Sequence, residues 1–259
     1  MSRARRVPGT DPRAAPAWQA VLAMTAAELR LALRRGETLV ATAVLPIVVL
    51  LFFATVGIVP TPTARPVDFL LPGSIAFAII ASSLVSLGIT TAYDRYYGVL
   101  KRLGGSPLSR AELIAARMLA VLVVEVVQVG LLVGAASLLL GWSAPPGASV
   151  GLFVAALFLG TLAFAGLGLL LAGTLRAETM LAVANGLFVA SLLLGGIILP
   201  IDHLPDPLAA LAGALPAAAL SEAFRVALGV GGDATGALIL LAGWGLGATG
   251  LAVITFRWE

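Results

Sequence analysis

The chain alternates long apolar runs with short polar breaks. Six of the runs are long enough to cross a bilayer, which takes about 20 residues. Residues 39–59, 69–92, 150–172, 180–201 and 234–256 carry no formal charge, while 118–141 has the length but contains Glu125 and Gln128. A barrel strand would show the alternation of polar and apolar positions over about ten residues, and that pattern does not occur here. The periodicity therefore predicts an all-α membrane protein with six transmembrane helices. Pro46 falls inside the first span, where it predicts a kink.

The segments between the spans carry their own patterns. Residues 1–16 read as a disordered basic tail. Over 17–37, Trp18, Val21, Leu22, Leu29, Ala32 and Leu33 recur at helical spacing, while Gln19, Arg30, Arg34 and Glu37 fall elsewhere. This predicts an amphipathic helix lying along the inner membrane surface. Residues 38–259 then form one transmembrane domain. The first 38 residues lack the apolar core of a cleavable signal peptide. Between the fifth and sixth spans, Asp206 followed by Pro207 marks a helix start, Pro216 begins a second run, and Gly229 marks its stop. Neither piece is long enough to span, so two short helices are expected to dip into the outer leaflet or lie on it.

Composition agrees with lipid as the main solvent. The chain is 60% hydrophobic and 11% charged, against about 25% charged in soluble domains. The net charge of +3 matters less than its placement. Fourteen of the sixteen Lys and Arg residues lie in 1–38, 93–117, 173–179 and 257–259; only Arg65 and Arg225 lie in the alternate connections. Cations concentrate on the cytoplasmic side, which places both termini inside. Trp142 and Trp258 fall at span ends, where interfacial aromatics are expected. The cations flank apolar spans and form no separate basic domain, so nucleic acid is not a partner. The Ala-, Gly- and Arg-rich composition with a single lysine points to a GC-rich bacterial genome, hence to a bacterial cell membrane.

The chemistry available is sparse. There is no cysteine and one histidine, His203, so no metal site is expected. A phosphate-binding P-loop needs Gly-Lys-[Ser/Thr], and the sole lysine, Lys101, follows Leu100. Any ATP that drives this protein is bound by another chain. Glu125 is the one carboxylate within a span, roughly 10 Å inside the cytoplasmic edge counted from Met118 at 1.5 Å per residue. Gln128 shares its side of the helix, and Arg117, two turns toward the cytoplasm, has the reach to snorkel out. A buried carboxylate must pair, protonate or face a polar cavity. Glu125, Gln128 and Asn185 are thus candidates for a substrate path or proton site, and equally for interhelical hydrogen bonds. Gly243 and Gly247 form a GxxxG pattern that permits close helix contact.

The stretch YDRYYGVLKRLGGSPLSR, 93–110, breaks the longest apolar region. Gly98 and the Gly104-Gly105 pair bound a short amphipathic piece with Lys101 and Arg102 polar and Val99, Leu100 and Leu103 apolar. Such a piece can dock on a soluble partner, or serve only as a positive-inside loop. The residue order resembles the segment between the second and third spans of ABC-2-type permeases, with the daunorubicin-resistance type the nearest in pattern. The matching positions are Asp94, Arg95, Gly98, Val99, Leu100, Lys101, Arg102, Leu103, Ser106, Pro107, Leu108 and Arg117. The layout over about 17–259 is similar too. Where that family often has an acid just before the glycine, this chain has Tyr96 and Tyr97.

The resemblance implies a membrane subunit without bond chemistry of its own and without a cofactor. ATP and Mg would be held by a separate ATPase subunit. Two permease chains, a second copy in preference to an unlike permease, would pair with two ATPase chains. Asp94, Arg95, Tyr97, Gly98, Leu100, Lys101, Arg102 and Pro107 would pass ATPase motion to the spans as a coupling helix, and a hydrophobic or amphipathic drug, antibiotic or lipid would be exported. The competing expectations are a proton-coupled secondary transporter using Glu125, and a membrane scaffold that transports nothing.

Overall fold

The computed structural model describes residues 16–34, 36–57, 61–106 and 108–256, with the side chains of 36–42 outside that description. All regular structure among the described residues is helical. The helices are α1 (Ala17–Arg34), α2 (Gly36–Val56), α3 (Pro66–Ile79), α4 (Leu87–Tyr96), α5 (Val99–Gly104), α6 (Arg110–Leu140), α7 (Val150–Thr174), α8 (Ala177–Leu194), α9 (Asp206–Ala214), α10 (Pro216–Ala227) and α11 (Thr235–Thr255). Among the described residues, five expected spans find helices long and apolar enough to cross a membrane, in the α3–α4 unit, α6, α7, α8 and α11; the first falls on α2, whose apolar part is the shorter Ala43–Val56. The basic tail expected over 1–16 lies outside the described residues, as do Trp258 and Pro107.

α3 and α4 form one continuous span from Pro66 to Tyr96, joined by a π-helical segment, Ile80–Ser86. This is the most enclosed span, because α2, α6, α7, α8 and α10 all pack around it. α7 and α11 make the most extensive helix pair. Gly168 of α7 meets the π-segment so closely that an added Cβ would sit 2.8 Å from the Ser83 carbonyl oxygen. α2 runs through Pro46 as a single helix. Outward faces of α2, α6, α8 and α11 carry exposed Val, Leu and Ile side chains, as lipid requires.

The helix ends have identifiable causes. Ser109 and Glu112 form a capping box: Ser109 Oγ accepts from the Glu112 N–H at 3.2 Å, and Glu112 Oε2 accepts from the Ser109 N–H at 2.7 Å. α6 therefore begins eight residues before Met118. Glu125 lies about 22 Å along it at 1.5 Å per residue, near the middle of the helix. Gly141, at φ +63°, closes α6 and turns Trp142 inward; Trp142 is buried in the core, not at an interface. Asp233 Oδ1 accepts from the Thr235 N–H at 3.0 Å and the Thr235 hydroxyl at 2.7 Å, which starts α11 and lowers the Asp233 pKa.

Two elements of the sequence reading gain definition. α1 turns Trp18, Leu22 and Leu33 outward and packs its other side along α6. α9 and α10 meet at a 78° bend. Of these, α10 is almost wholly buried against α3, α7 and α11, so it re-enters the bundle and does not lie on the leaflet. Its Arg225 donates to Glu222 Oε2 at 2.9 Å and to the Gly196 carbonyl, and stacks 4.7 Å over the Phe69 ring.

Candidate functional site

Three groups of polar residues interrupt the apolar interior. The first surrounds Glu125, which has no exposed surface. Two consecutive serines of the π-segment, Ser82 and Ser83, face it. Ser83 Oγ donates to Glu125 Oε1 at 2.5 Å, Ser82 Oγ lies 3.2 Å from the same oxygen, and Thr161 of α7 donates to Oε2. Ser82 and Thr161 each also lie 2.8 Å from a carbonyl one turn back in their own helices, Ala78 and Leu157. A hydroxyl has one proton, so each can serve either the carboxylate or its own helix. When Glu125 is ionised the hydroxyls turn toward it. When it is protonated on Oε2, Thr161 accepts from it and donates to Leu157, Ser82 turns back to Ala78, and Ser83 keeps donating to Oε1. The cage is satisfied in both states. Gln128 is buried one helical turn further on. Asn185 is elsewhere: its side chain is exposed on α8 and donates to the Leu181 carbonyl at 2.8 Å. The structure does not bring it together with Glu125.

The second group centres on Arg117. Sequence reasoning expected this side chain to snorkel; it is 2% exposed. Its Nη2 donates to Asp94 Oδ2 and its Nη1 to Thr91 Oγ1, both at 2.5 Å. Its Nε is 3.1 Å from Glu28 Oε1, close enough to pair by charge although the N–H is not aligned for a hydrogen bond. One guanidinium thus ties α1, α4 and α6 together. It stays in because two carboxylates converge on it, which snorkelling to water would leave unpaired. Thr25 of α1 adds a contact to the same helix, its hydroxyl shared between the Val21 carbonyl at 2.8 Å and the Ala116 carbonyl at 3.2 Å.

The third group is the break between α4 and α6. Gly98 adopts φ +72°, the left-handed region that glycine enters without a Cβ penalty, and this turns the chain into α5. Leu100 is fully buried and packs with Leu113, Ile114, Leu169 and Phe256. It anchors α5 to the bundle and presents nothing to a partner. Lys101 and Arg102 are exposed on its opposite side. Arg95 donates to the Leu175 carbonyl at the end of α7. Asp94 faces inward to Arg117. Tyr93, Tyr96 and Tyr97 pack as a ring cluster, with Tyr96 and Tyr97 edge-on at 5.2 Å, and these two are 65% and 68% exposed. Of the expected coupling residues, Tyr97, Lys101 and Arg102 form the outward face, and Asp94, Arg95 and Leu100 fasten it from behind.

Residues 19–228 match the family described as ABC-2 type transporter. The chain belongs to this family. The match runs from α1 through α10 and so includes the Glu125 cage, the Arg117 hub and α5. No curated protein matches the chain. Family membership and the apolar helices make this a multi-pass membrane protein and a permease subunit of an ABC transporter. Such permeases generally work with an ABC ATPase.

Sequence reasoning missed the partners of Glu125, and Thr91 and Glu28 beside Arg117; Asp94 it named, but as a coupling residue. Ser82 and Ser83 offered a signal, two adjacent hydroxyls within an otherwise apolar span. Thr161 offered the same on α7. Glu28 gave none, since it lies 89 residues from Arg117 on a helix rich in surface charge.

Proposed function

We propose that this chain is the export permease of an ATP-driven pump in a bacterial cell membrane, with both termini in the cytoplasm, working as a pair of permease chains. A separate ATPase subunit binds ATP and Mg and docks on the outward face of α5. The cargo is a hydrophobic or amphipathic drug, antibiotic or lipid. The observation that carries this reading is the construction of α5. It is a six-residue helix bounded by Gly98 and Gly105, pinned by the buried Leu100, with Tyr97, Lys101 and Arg102 turned outward. A loop that only fixed topology would need the two cations. It would not need a buried anchor and a left-handed hinge.

Movement imposed on α5 reaches the spans by two routes. Leu100 transmits it into the packing of α6, α7 and α11, and Asp94 transmits it through Arg117 to α1. ATP can shift the permease only by its different fit to two states, so the α5 face must meet the ATPase differently in each. The test is affinity purification of the tagged chain from its host after gentle solubilisation, beside a Lys101→Glu/Arg102→Glu variant. Recovery of a P-loop ATPase with the wild type and its loss with the variant is the expected result. No ATPase with either would overturn the reading.

The Glu125 cage supports a second reading, proton-coupled transport without an ATPase. A site satisfied in both protonation states is what such a carrier needs. It predicts transport driven by a pH gradient alone and abolished by Glu125→Gln.

A further inference from the structure

A cleft opens between α1, the α3–α4 span and α6, beside the Arg117 hub. On the α3–α4 span, Ser82, Ser86, Thr90 and Asp94 line it at four-residue intervals, a ladder of polar groups along one helix face. Glu28 and Arg117 also line it, and leucine, valine and alanine side chains of α1 and α6 form the remaining wall. The ladder ends at Ser82, whose hydroxyl is 3.2 Å from Glu125.

The charges lining the cleft do not balance. Among the described residues, the ionisable groups lining the cleft are Glu28, Asp94 and Arg117, two carboxylates to one guanidinium. Both carboxylates keep 18% of their side-chain surface exposed, so the surplus can be reached. An anion there would face two carboxylates. A neutral head group would leave the surplus uncompensated. A cation offsets it, and the Ser86 and Thr90 hydroxyls supply acceptors for its N–H groups. The free space is about 140 Å³, close to the roughly 150 Å³ that holds a benzene ring. It admits a head group and its first carbons, leaving an apolar body to lie against the Leu and Val wall.

We propose that this cleft binds the ammonium head of an amphiphilic amine drawn from the adjoining leaflet. This names a substrate class for the exporter proposed above. It rests on that reading for the transport step and not for binding.

The test uses the full chain in nanodiscs and a photoreactive dodecylamine, with the matching alcohol and carboxylic acid as controls and crosslinks mapped by mass spectrometry. The expected result is saturable labelling of cleft residues on α1 and α6, stronger for the amine than the acid by at least about tenfold. Thr90→Leu, which fills the middle of the ladder, should abolish that labelling. Glu28→Gln, which balances the charges, should reduce the preference for the amine severalfold while the alcohol is labelled as before. Thermal unfolding of both variants confirms that they fold. Equal labelling by all three head groups, or labelling unaffected by Thr90→Leu in a folded variant, overturns the proposal. Competition by phosphatidylethanolamine in the bilayer would identify a lipid amine as occupant; competition by added alkylamine alone would identify a free amphiphile. Because no ATPase is present, the outcome is independent of whether one co-purifies with the chain.

Discussion

Replacing Arg117 by methionine keeps most of the side chain's apolar volume and removes its charge. Asp94 and Glu28 then face each other across the α1–α4–α6 junction with no counter-ion. Breaking one partner out of a buried ion pair costs about 3–5 kcal/mol. The lower end applies here, about 3 kcal/mol, because water still reaches 18% of each carboxylate side chain. For a chain of this size each kcal/mol moves the melting temperature by about 2–4 °C, so a fall of about 6–12 °C is expected. The assay is thermal unfolding of the purified chain in detergent, followed by intrinsic fluorescence. Arg117→Lys should lose roughly half as much, since an ammonium keeps the charge and lacks the fork that reaches Asp94, Thr91 and Glu28 together. Neutralising the carboxylates as well, in Arg117→Met with Asp94→Asn and Glu28→Gln, should recover most of the loss. A fall under about 3 °C for Arg117→Met, the scale of an exposed pair, would refute the view that this hub is buried and structural. So would a triple variant no more stable than the single one.

Glu125→Gln should cost about 1 kcal/mol, because the three hydroxyls can reorient to an amide, and Glu125→Ala about 2–4 kcal/mol, because it leaves a cavity among polar groups; denaturation of the two variants side by side checks the order. Gly168→Ala forces a Cβ toward the Ser83 carbonyl and should cost about 1–3 kcal/mol by overpacking, read as a lower melting temperature with the Glu125 cage disturbed. Gly98→Ala meets no neighbour within 4 Å, so its cost should be the left-handed penalty alone, about 1–2 kcal/mol. Asp233 is held below its ordinary pKa of 3.8 by its bonds to Thr235. Its contribution to the α11 start is present above that pH and fades as the pH falls through the lowered value, so the melting difference between wild type and Asp233→Asn should narrow below pH 3.8.

The spans were legible because lipid imposes one simple rule on long helices, and apolar length alone finds them. The α5 break was legible through its glycines. What the sequence could not show depends on pairings between distant helices. Arg117 read as a snorkelling cation because nothing near it in the chain identifies Asp94 and Glu28 as partners. Leu100 read as part of a docking face, since a six-residue amphipathic piece does not say which side the bundle covers. The π-segment has no proline or glycine to announce it; its sequence, IASSLVS, is compatible with an ordinary helix. The apolar content of 202–233 argued against full exposure, and α10 takes the inserted alternative. Glu222 stands one turn before Arg225 in the sequence, but only the fold supplies the Gly196 carbonyl and the Phe69 ring around it.

The polar contacts of this bundle divide into two kinds, and the division indicates which parts can move. Where a helix ends or bends inside the bundle, the freed carbonyl finds a donor within the protein. Ser221 donates to the Gly195 carbonyl at 2.5 Å, Arg225 to the Gly196 carbonyl and Arg95 to the Leu175 carbonyl. Opening either of the two buried bonds of α10 strands a backbone group away from water, so the α8–α10 region resists rearrangement. α1 is held to α6 differently. Besides side-chain packing, it has the Thr25 hydroxyl, which can fall back on Val21 of its own helix, and Glu28 on Arg117. If α1 swings away, Arg117 keeps Asp94 and Thr91, and Glu28 is near enough to water to be solvated. The cost of that motion is therefore low compared with any rearrangement at α8–α10. The cleft beside Arg117 is walled on one side by α1, so the same motion would widen it.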